Sequence, residues 1–175
     1  MIGNHKSMQT IRNWLKDFND KKTTKGGCFL TGSTGLGKTT LIMNLLNEFD
    51  YNIIRLVPST MPSKKDIKVF IHNTLLSRDV VSCFTKKKIK KVLVVDDIEN
   101  IGPTQKLCLV EFLQWIYPSK KKHKKISAIE TGIPFIFVGR HTHIKAVQTA
   151  LKHCIEVQLE PPTENEQQDY IEQRL

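Results

Sequence analysis

The stretch "GSTGLGKT", residues 32–39, decides the fold because it fits the phosphate-loop pattern G-x-x-x-x-G-K-[ST] without a mismatch. The glycines of such a loop let the backbone curl so that its N–H groups surround phosphates, and the helix that follows directs its positive end at them. Lys38 would reach the β- and γ-phosphates, and the Thr39 hydroxyl would ligate Mg²⁺. An incidental lysine in a Gly-rich turn does not explain why a predicted strand precedes the loop and a predicted helix follows it. The stretch therefore predicts nucleotide binding.

Apolar residues on both sides of the loop predict alternating strands and helices. The predicted helices cover residues 5–19, begin at residue 38, follow Ser63, run from Pro103 to residue 116, and follow Thr142. The predicted strands cover residues 27–32, 52–58, 91–97, 133–139 and 154–160, and the last one has the alternation of a half-exposed edge strand. Five strands alternating with helices indicate an α/β fold, a doubly wound parallel sheet with helices on both faces.

A second stretch, "VLVVDDIEN" at residues 92–100, ends a buried strand in two adjacent acids. Together with the phosphate loop, this stretch predicts that Asp96 binds Mg²⁺ through water. Asp97 would face the γ-phosphate and the attacking water, whereas Glu99 is expected to be peripheral. Simple loop polarity is the alternative explanation for acids at a strand end.

Composition limits the class of protein. The chain has 175 residues, enough for one α/β domain with a proper core, and its charged fraction of 25% is typical of soluble globular proteins. Its apolar stretches are shorter than the ~20 residues of a membrane span, and the N-terminus lacks the apolar segment of a secretion signal. The four cysteines are widely spaced, which favours reduced residues of an intracellular protein.

The charge is the informative part of the composition. Lys and Arg total 27 against 17 acids, a net charge of +10, and the excess is concentrated in two lysine runs at residues 86–91 and 119–125. Such runs attract the phosphates of nucleic acids irrespective of sequence. Solvated loops and a nuclear-import signal are the alternatives. Lysine outnumbers arginine, which suits neutralisation of a phosphate backbone better than recognition of base edges.

These motifs, in their order along the chain, resemble those of AAA+ ATPases. The phosphate loop is common to all P-loop NTPases and, with "VLVVDDIEN", corresponds to the Walker A and Walker B motifs. The N-terminal "IGNHKSMQTIRNWL" and "PPTENE" at residues 161–166 narrow the resemblance to sliding-clamp loaders, most of all the large subunit of replication factor C. The resemblance covers nearly the whole chain. A composition rich in Lys, Ile and Asn hints at an AT-rich genome, such as that of a large DNA virus.

The resemblance implies roles for both ends of the chain. Ile2, Gly3 and Asn4 would lie against the adenine of ATP. Residues 1–160 would form the AAA+ ATPase core, and residues 161–175 the first helix of a truncated helical lid. Thr163 and Glu166 have the spacing of a capping box that begins this helix. The lid arginine that contacts the γ-phosphate in the family would lie beyond this helix.

Three residues depart from the family pattern. Asp97 stands where the family has a catalytic glutamate, so its carboxylate is withdrawn by about 1.5 Å, and such misplacements can cost ~10²-fold in rate. Arg140, or His141, stands where these ATPases place a water-orienting Asn or Thr. Arg140 could contact phosphate or DNA, or it could pair with Asp96 or Asp97. In place of the Ser-Arg-Cys motif of small loader subunits the chain has Lys152, His153 and Cys154, as expected for a large subunit without an arginine finger.

The resemblance thus implies an ATP-binding, ATP-hydrolysing subunit that couples nucleotide state to the loading of a sliding clamp on primer–template DNA. The cofactors would be ATP and Mg²⁺. The expected catalytic residues are Lys38, Asp97 and Arg140, and the expected metal ligands are Thr39 and Asp96. The expected nucleotide-binding residues are Ile2, Gly3, Asn4, Gly32, Ser33, Thr34, Gly35, Leu36, Gly37, Lys38, Thr39 and Thr40.

Partners and alternatives complete the prediction. The partners would be other loader subunits, the clamp through residues 59–80, and double-stranded or primer–template DNA through Lys145 and residues 119–125. The location would be the nucleus or a viral replication compartment in the cytoplasm. The main alternative is a catalytically weak, ATP-binding adaptor subunit of a replication or repair complex. A helicase loader or a checkpoint clamp loader is close in mechanism, whereas a small-molecule kinase would need a substrate lid and catalytic arginines that the sequence does not show.

Overall fold

The computed structural model of the protein describes residues 3–63, 65–76, 90–116, 132–141 and 143–172. Five strands form one sheet: β1 Gly27–Gly32, β2 Tyr51–Leu56, β3 Lys90–Val95, β4 Phe135–Val138 and β5 Cys154–Leu159. The helices of the described residues are α1 His5–Asn19, α2 Lys38–Glu48, α3 Ile67–Phe70, α4 Pro103–Ile116, α5 Lys145–Leu151 and α6 Glu164–Glu172. Two 3₁₀ turns cover Pro58–Thr60 and Ile98–Asn100, and a π-helical turn, Ile71–Leu76, extends α3.

All strand pairs are parallel, and the strand order is β2-β3-β4-β1-β5. The carboxyl ends of β1, β4 and β3 therefore lie side by side at one edge of the sheet. From β1 the chain crosses to β2 at one edge of the sheet and returns through β3 and β4. It then passes β1 and adds β5 on the other side, so the order in which strands are added reverses beside β1. Ligands of open α/β sheets bind at such a reversal, outside the carboxyl ends of the strands. The predicted fold class is confirmed.

The central strands are buried because both faces of the sheet are covered. In β3, Val92 to Val95 are at most 1% exposed after the two lysines that begin the strand, and β4 is buried throughout. The edge strand β5 alternates instead, with Val157 and Leu159 buried and Glu156 and Gln158 exposed. The continuous and alternating apolar patterns thus predicted the central and edge positions correctly.

Most predicted boundaries agree with the structure, and the exceptions have local causes. α1 buries Ile11, Trp14, Leu15 and Phe18 at helical spacing, as predicted. β2 ends at Leu56, because Pro58 begins a 3₁₀ turn. β3 ends at Val95, so the two acids lie in the turn after the strand rather than in it.

Three residues, Ser63, Thr142 and Thr163, are expected at helix starts, and the structure describes two of them. Ser63 donates its hydroxyl to the Asp66 carboxylate, and its carbonyl accepts the amides of Asp66 and Ile67. Thr142, the predicted cap of the fifth helix, lies outside the described residues. The capping box is confirmed: the Thr163 N–H donates to Glu166 Oε2 at 2.8 Å, and the Glu166 N–H to Thr163 Oγ1 at 3.4 Å.

The cysteines of the described chain lie in the hydrophobic core. Cys28, Cys108 and Cys154 are buried and form no disulfide with one another. Burial, with a smaller contribution from Cys154, raises the pKa of the Cys28 thiol far above its ordinary value, so it stays protonated. Cys83 lies outside the described residues. None of the described helices combines the length and the apolar content needed to cross a bilayer.

Candidate functional site

The phosphate loop joins β1 to α2 at the carboxyl edge of the sheet. Gly37 caps α2 with a φ of 72°, a left-handed conformation that glycine adopts without strain. A Cβ on Gly32 would lie 2.8 Å from the Leu159 carbonyl oxygen, so only glycine permits this approach to β5. These two glycines therefore set the curl of the loop and its distance from β5.

The Lys38 side chain closes the phosphate loop by bonding to carbonyl groups at its start. Its Nζ donates to the carbonyl oxygens of Gly32 at 3.0 Å and Ser33 at 2.9 Å. The ammonium group therefore lies within the curl of the loop, next to the N-terminus of α2, where an anion is electrostatically favoured. A phosphate entering the loop would offer this ammonium a charged acceptor in place of two neutral carbonyl groups.

The two predicted cation ligands, Thr39 and Asp96, lie close together in the structure. Thr39 Oγ1 lies 3.2 Å from Asp96 Oδ1, although 57 residues separate them in the chain. Asp96 is only 2% exposed, and its backbone N–H donates to the Leu56 carbonyl at 2.8 Å, which fixes the end of β3 against β2. The phosphate loop and the acid after β3 therefore form a single site.

Arg55, on β2, is a site residue that the sequence analysis missed. Its Nη2 and Nε lie 2.7 Å and 3.1 Å from Asp96 Oδ2, so the guanidinium group supplies the positive charge that a buried carboxylate requires. In the sequence, Arg55 is recognisable only as a basic residue near the carboxyl end of the strand that precedes "VLVVDD". Only the pairing of β2 with β3, in which Arg55 lies opposite Val94, shows that it reaches Asp96.

The oxygen atoms present suit Mg²⁺. Among the described residues, no three His, Cys, Asp or Glu side chains gather as a metal site. Mg²⁺ in nucleotide sites is held by one or two protein oxygens, with the remaining positions taken by water and phosphate oxygens. The Thr39 hydroxyl and the Asp96 carboxylate are such a pair of hard donors, and they would hold the cation.

Asp97 turns the chain away from β3. Its φ of 55° and ψ of 42° lie in the left-handed region, which Asp and Asn tolerate better than most residues. The Asp97 N–H donates to Asp96 Oδ1 at 3.0 Å, and the Asp97 carbonyl accepts the amide of Asn100. Asp97 is exposed, so its carboxylate is accessible to solvent beside the buried Asp96.

Arg140, just after β4, pairs with Glu99. Its Nε lies 3.5 Å from Glu99 Oε1, and its backbone N–H donates to Glu99 Oε2 at 3.1 Å. The predicted alternative in which Arg140 pairs with Asp96 or Asp97 is therefore wrong, because Arg55 takes that place at Asp96. Contact of Arg140 with phosphate or DNA stays a prediction. Glu99, expected to be peripheral, instead anchors the end of β4 to the turn after β3.

His141, the other residue considered for the water-orienting position, lies over the middle of the sheet. Its Nε2 is 2.8 Å from Glu156 Oε1 on β5, and its ring stacks edge-on against Phe29 of β1 at a centroid distance of 5.2 Å. Phe29 and Glu156 are paired in the strand register. The His141 ring therefore lies away from the carboxyl edge of the sheet, next to which Lys38 and Asp96 are found.

The N-terminal segment packs beside the phosphate loop. Asn4 Nδ2 donates to the Glu160 carbonyl at 2.8 Å, and the Glu160 N–H donates to Asn4 Oδ1 at 3.0 Å. Glu160 directly follows Leu159, whose carbonyl faces Gly32 of the loop. Gly3 is buried, and a Cβ on it would lie 3.0 Å from the Glu166 carboxylate of the capping box. Ile2 lies outside the described residues.

Lys152 and His153, which stand in place of the Ser-Arg-Cys motif of small loader subunits, lie at the amino ends of the strands, where their carbonyls accept Lys25 Nζ and the Gly27 N–H. The residues expected to face partners also lie away from the phosphate loop in the sequence. Within the predicted clamp-contacting range, Val69 is 57% exposed, and Lys145 is exposed at the start of α5. Residues 77–80 and 119–125 lie outside the described residues.

Comparison with known proteins relates this geometry to a family. Residues 28–163 match the family described as "ATPase family associated with various cellular activities (AAA)". The replication factor C large subunit of Methanococcus aeolicus is 26% identical over 102 residues, 58% of this chain and 20% of that protein. The large subunit of Thermococcus kodakarensis is 24% identical over 105 residues, 59% of this chain and 20% of that protein. The chain thus matches one fifth of the length of these curated relatives.

Solved structures show the same fold. The RuvB Holliday junction branch migration motor of Thermotoga maritima has a TM-score of 0.58 and 18% identity, covering 98% of this chain and 50% of that chain. A variant of the same RuvB gives a TM-score of 0.59 and 19% identity, covering 99% of this chain and 51% of that chain. At this identity the likeness shows the fold alone.

Proposed function

The chain belongs to the AAA family of ATPases, and from this premise we propose that it binds and hydrolyses ATP with Mg²⁺ as a clamp-loader-like subunit. Its nucleotide state would be coupled to the loading of a sliding clamp on primer–template DNA during replication. The observation that carries the nucleotide part is the convergence of Lys38, Thr39 and Asp96 at one edge of the sheet.

Binding and hydrolysis assign a task to each of these side chains. Lys38 exchanges its contacts with the Gly32 and Ser33 carbonyls for the β- and γ-phosphates, while the loop N–H groups hold the remaining phosphate oxygens. Thr39 and Asp96 would hold Mg²⁺, which would neutralise charge on those oxygens. Asp97 orients the attacking water and accepts its proton.

The base of the nucleotide would lie against the N-terminal segment. Asn4 is bonded to the backbone of Glu160, and the neighbouring Leu159 carbonyl faces Gly32, so the segment is next to the loop that would hold the phosphates. Gly3, and Ile2 before it, would contact the adenine. Residues 1–160 would then act as the ATPase core, with the helix that begins at Glu164 as the first part of a lid.

Relatives and charge support the choice of a clamp loader. The two curated relatives are replication factor C large subunits. A net charge of +10 suits contact with a phosphate backbone. The proposed partners are other loader subunits, a sliding clamp and primer–template or double-stranded DNA. The proposed location is the nucleus or a viral replication compartment in the cytoplasm.

Asp97 favours a second candidate function, an adaptor subunit that binds ATP but turns it over negligibly. The carboxylate of an aspartate is about 1.5 Å shorter in reach than that of a glutamate. Aspartate also tolerates the left-handed conformation of residue 97, which accounts for an aspartate here without a catalytic role. In this case ATP would stabilise the domain as a ligand, and the protein would act through its DNA and protein contacts.

Single-turnover hydrolysis separates the two candidates. Radiolabelled ATP is mixed with Mg²⁺ and an excess of the chain, with and without primer–template DNA and small loader subunits, and phosphate release is followed. A clamp-loader ATPase shows release that DNA and partners accelerate and that Lys38→Ala abolishes. ATP binding without release under any of these conditions favours the adaptor, and absence of ATP binding contradicts both.

A further inference from the structure

The buried carboxylate of Asp96 already has a full set of hydrogen-bond donors. Arg55 donates Nε–H and Nη2–H to Oδ2, at 3.1 Å and 2.7 Å. Thr39 Oγ1 and the Asp97 N–H lie 3.2 Å and 3.0 Å from Oδ1. Two carboxylate oxygens offer about four acceptor positions, so all of them are occupied by the protein itself.

This arrangement conflicts with the cation that the same atoms suit. Mg²⁺ bound at Thr39, and reaching Asp96 directly or through one water, would lie close to the guanidinium group of Arg55. Two cations beside one buried carboxylate repel each other. Asp96 also cannot be left without either cation, because a buried charge without a partner is costly. Arg55 and the divalent cation therefore compete for Asp96.

Arg55 is able to leave. It lies on β2, an edge strand of the sheet, and its side chain is 49% exposed whereas that of Asp96 is 2% exposed. The guanidinium group can therefore turn into solvent without crossing the core. The acid remains fixed, because its backbone N–H is bonded to Leu56 and its neighbour Asp97 begins a tight turn.

We infer that Arg55 is a positioning residue that serves as the internal counter-cation of Asp96 and is exchanged for the divalent cation when a metal–nucleotide complex binds. The inference rests on the proposed nucleotide site. Without nucleotide, Arg55 keeps free divalent cations off Asp96. The phosphates of ATP or ADP shift the balance, because they supply the further oxygen ligands that make the divalent cation the better partner.

Mn²⁺ binding without nucleotide tests this exchange, because Mn²⁺ takes the same oxygen ligands as Mg²⁺ and is seen directly by electron paramagnetic resonance. Arg55→Ala is expected to bind Mn²⁺ at least tenfold more tightly than wild type, and the additional change Asp96→Asn should abolish this gain. Arg55→Lys, which keeps the charge, should resemble wild type. The matched control is Arg12→Ala, which removes a surface arginine paired with Glu48 and should leave Mn²⁺ binding unchanged.

A second measurement uses ADP affinity with Mg²⁺ and with EDTA. The ratio of these two affinities should rise at least tenfold in Arg55→Ala. The inference would be overturned if wild type and Arg55→Ala had equal Mn²⁺ affinity. It would also be overturned if Arg55→Ala lost the same ADP affinity with and without Mg²⁺, because Arg55 would then bind phosphate directly. Should Arg55→Ala not fold, Arg55→Gln keeps hydrogen-bond donors without the charge and carries the same expectations. If wild type binds neither ADP nor ATP, the proposed function fails, whereas the Mn²⁺ experiment still decides the role of Arg55.

Discussion

The hydroxyl of Thr39 lies 3.2 Å from the buried carboxylate of Asp96 and so joins the first turn of α2 to the end of β3. The two residues come from separate motifs, one in the phosphate loop and one after a buried strand. Their proximity makes one oxygen-lined position for a cation, directly beside the loop that Lys38 closes.

Thr39→Val tests this position, because valine keeps the shape of threonine and removes the hydroxyl. We expect the gain in ATP affinity that Mg²⁺ provides to fall about tenfold, a free-energy change of ~1.4 kcal/mol, while ATP affinity in EDTA stays the same. Isothermal titration under both conditions measures the two values. Thr149→Val, which removes an exposed threonine hydroxyl that bonds within α5, is the control. An equal loss in EDTA would show that Thr39 contacts phosphate rather than the cation.

Asp97→Asn tests whether the short acid supports turnover. Asparagine tolerates the left-handed conformation of residue 97 as well as aspartate does, so the change removes the charge without disturbing the turn. We expect the single-turnover rate with DNA and partner subunits to fall by ~10²-fold or more and ATP affinity to stay within twofold. Asp97→Glu should keep or raise the rate. If Asp97→Asn changes nothing while Asp97→Glu raises the rate, the adaptor function is the better account.

Thr163→Ala should destabilise the start of α6. The hydroxyl and backbone N–H of Thr163 both contact Glu166 Oε2, and loss of such a cap costs ~1 kcal/mol. Urea unfolding measures the change in the free energy of unfolding. Thr10→Ala removes an exposed hydroxyl that bonds within α1 and should change stability by less than about 0.5 kcal/mol. Equal effects of the two substitutions would mean that the capping box does not hold α6.

Gly139→Ala should be more damaging. A Cβ on Gly139 would overlap the Glu99 carboxylate and lie 2.7 Å from Ile98 Cγ1, so the turn after β3 would have to move away from β4. Overpacking of this kind costs ~1–3 kcal/mol, measured by urea unfolding. In the control Gly102→Ala, the added Cβ meets only the flexible end of the Gln105 side chain. A stability of Gly139→Ala equal to that of wild type would contradict the described anchoring of β4 by Glu99.

Much of this architecture could be predicted because it depends on local patterns. Continuous apolar runs identified β3 and β4, and alternation identified β5 as an edge strand. The spacing of Thr163 and Glu166 predicted a capping box because its bonds span only three residues. The phosphate loop could be predicted for the same reason, because its glycines and Lys38 lie within eight consecutive residues.

The ion pairs of the site could not be predicted, because they depend on strand order and register. Arg55 reaches Asp96 only because β2 lies next to β3, and Glu99 holds Arg140 only because β4 is the other neighbour of β3. Both acids could have paired with either arginine as far as the sequence shows. The sheet decides between the two arrangements.

The most direct test of the central claim is ATP binding by the wild-type chain and by Lys38→Ala, measured by isothermal titration with Mg²⁺. Lys38 is the only positive side chain that the described residues place inside the phosphate loop. Its removal should weaken ATP binding at least tenfold, ~1.4 kcal/mol or more. Lys16→Ala, in the last turn of α1, should bind as wild type does. No ATP binding by wild type, or wild-type affinity in Lys38→Ala, would contradict the account.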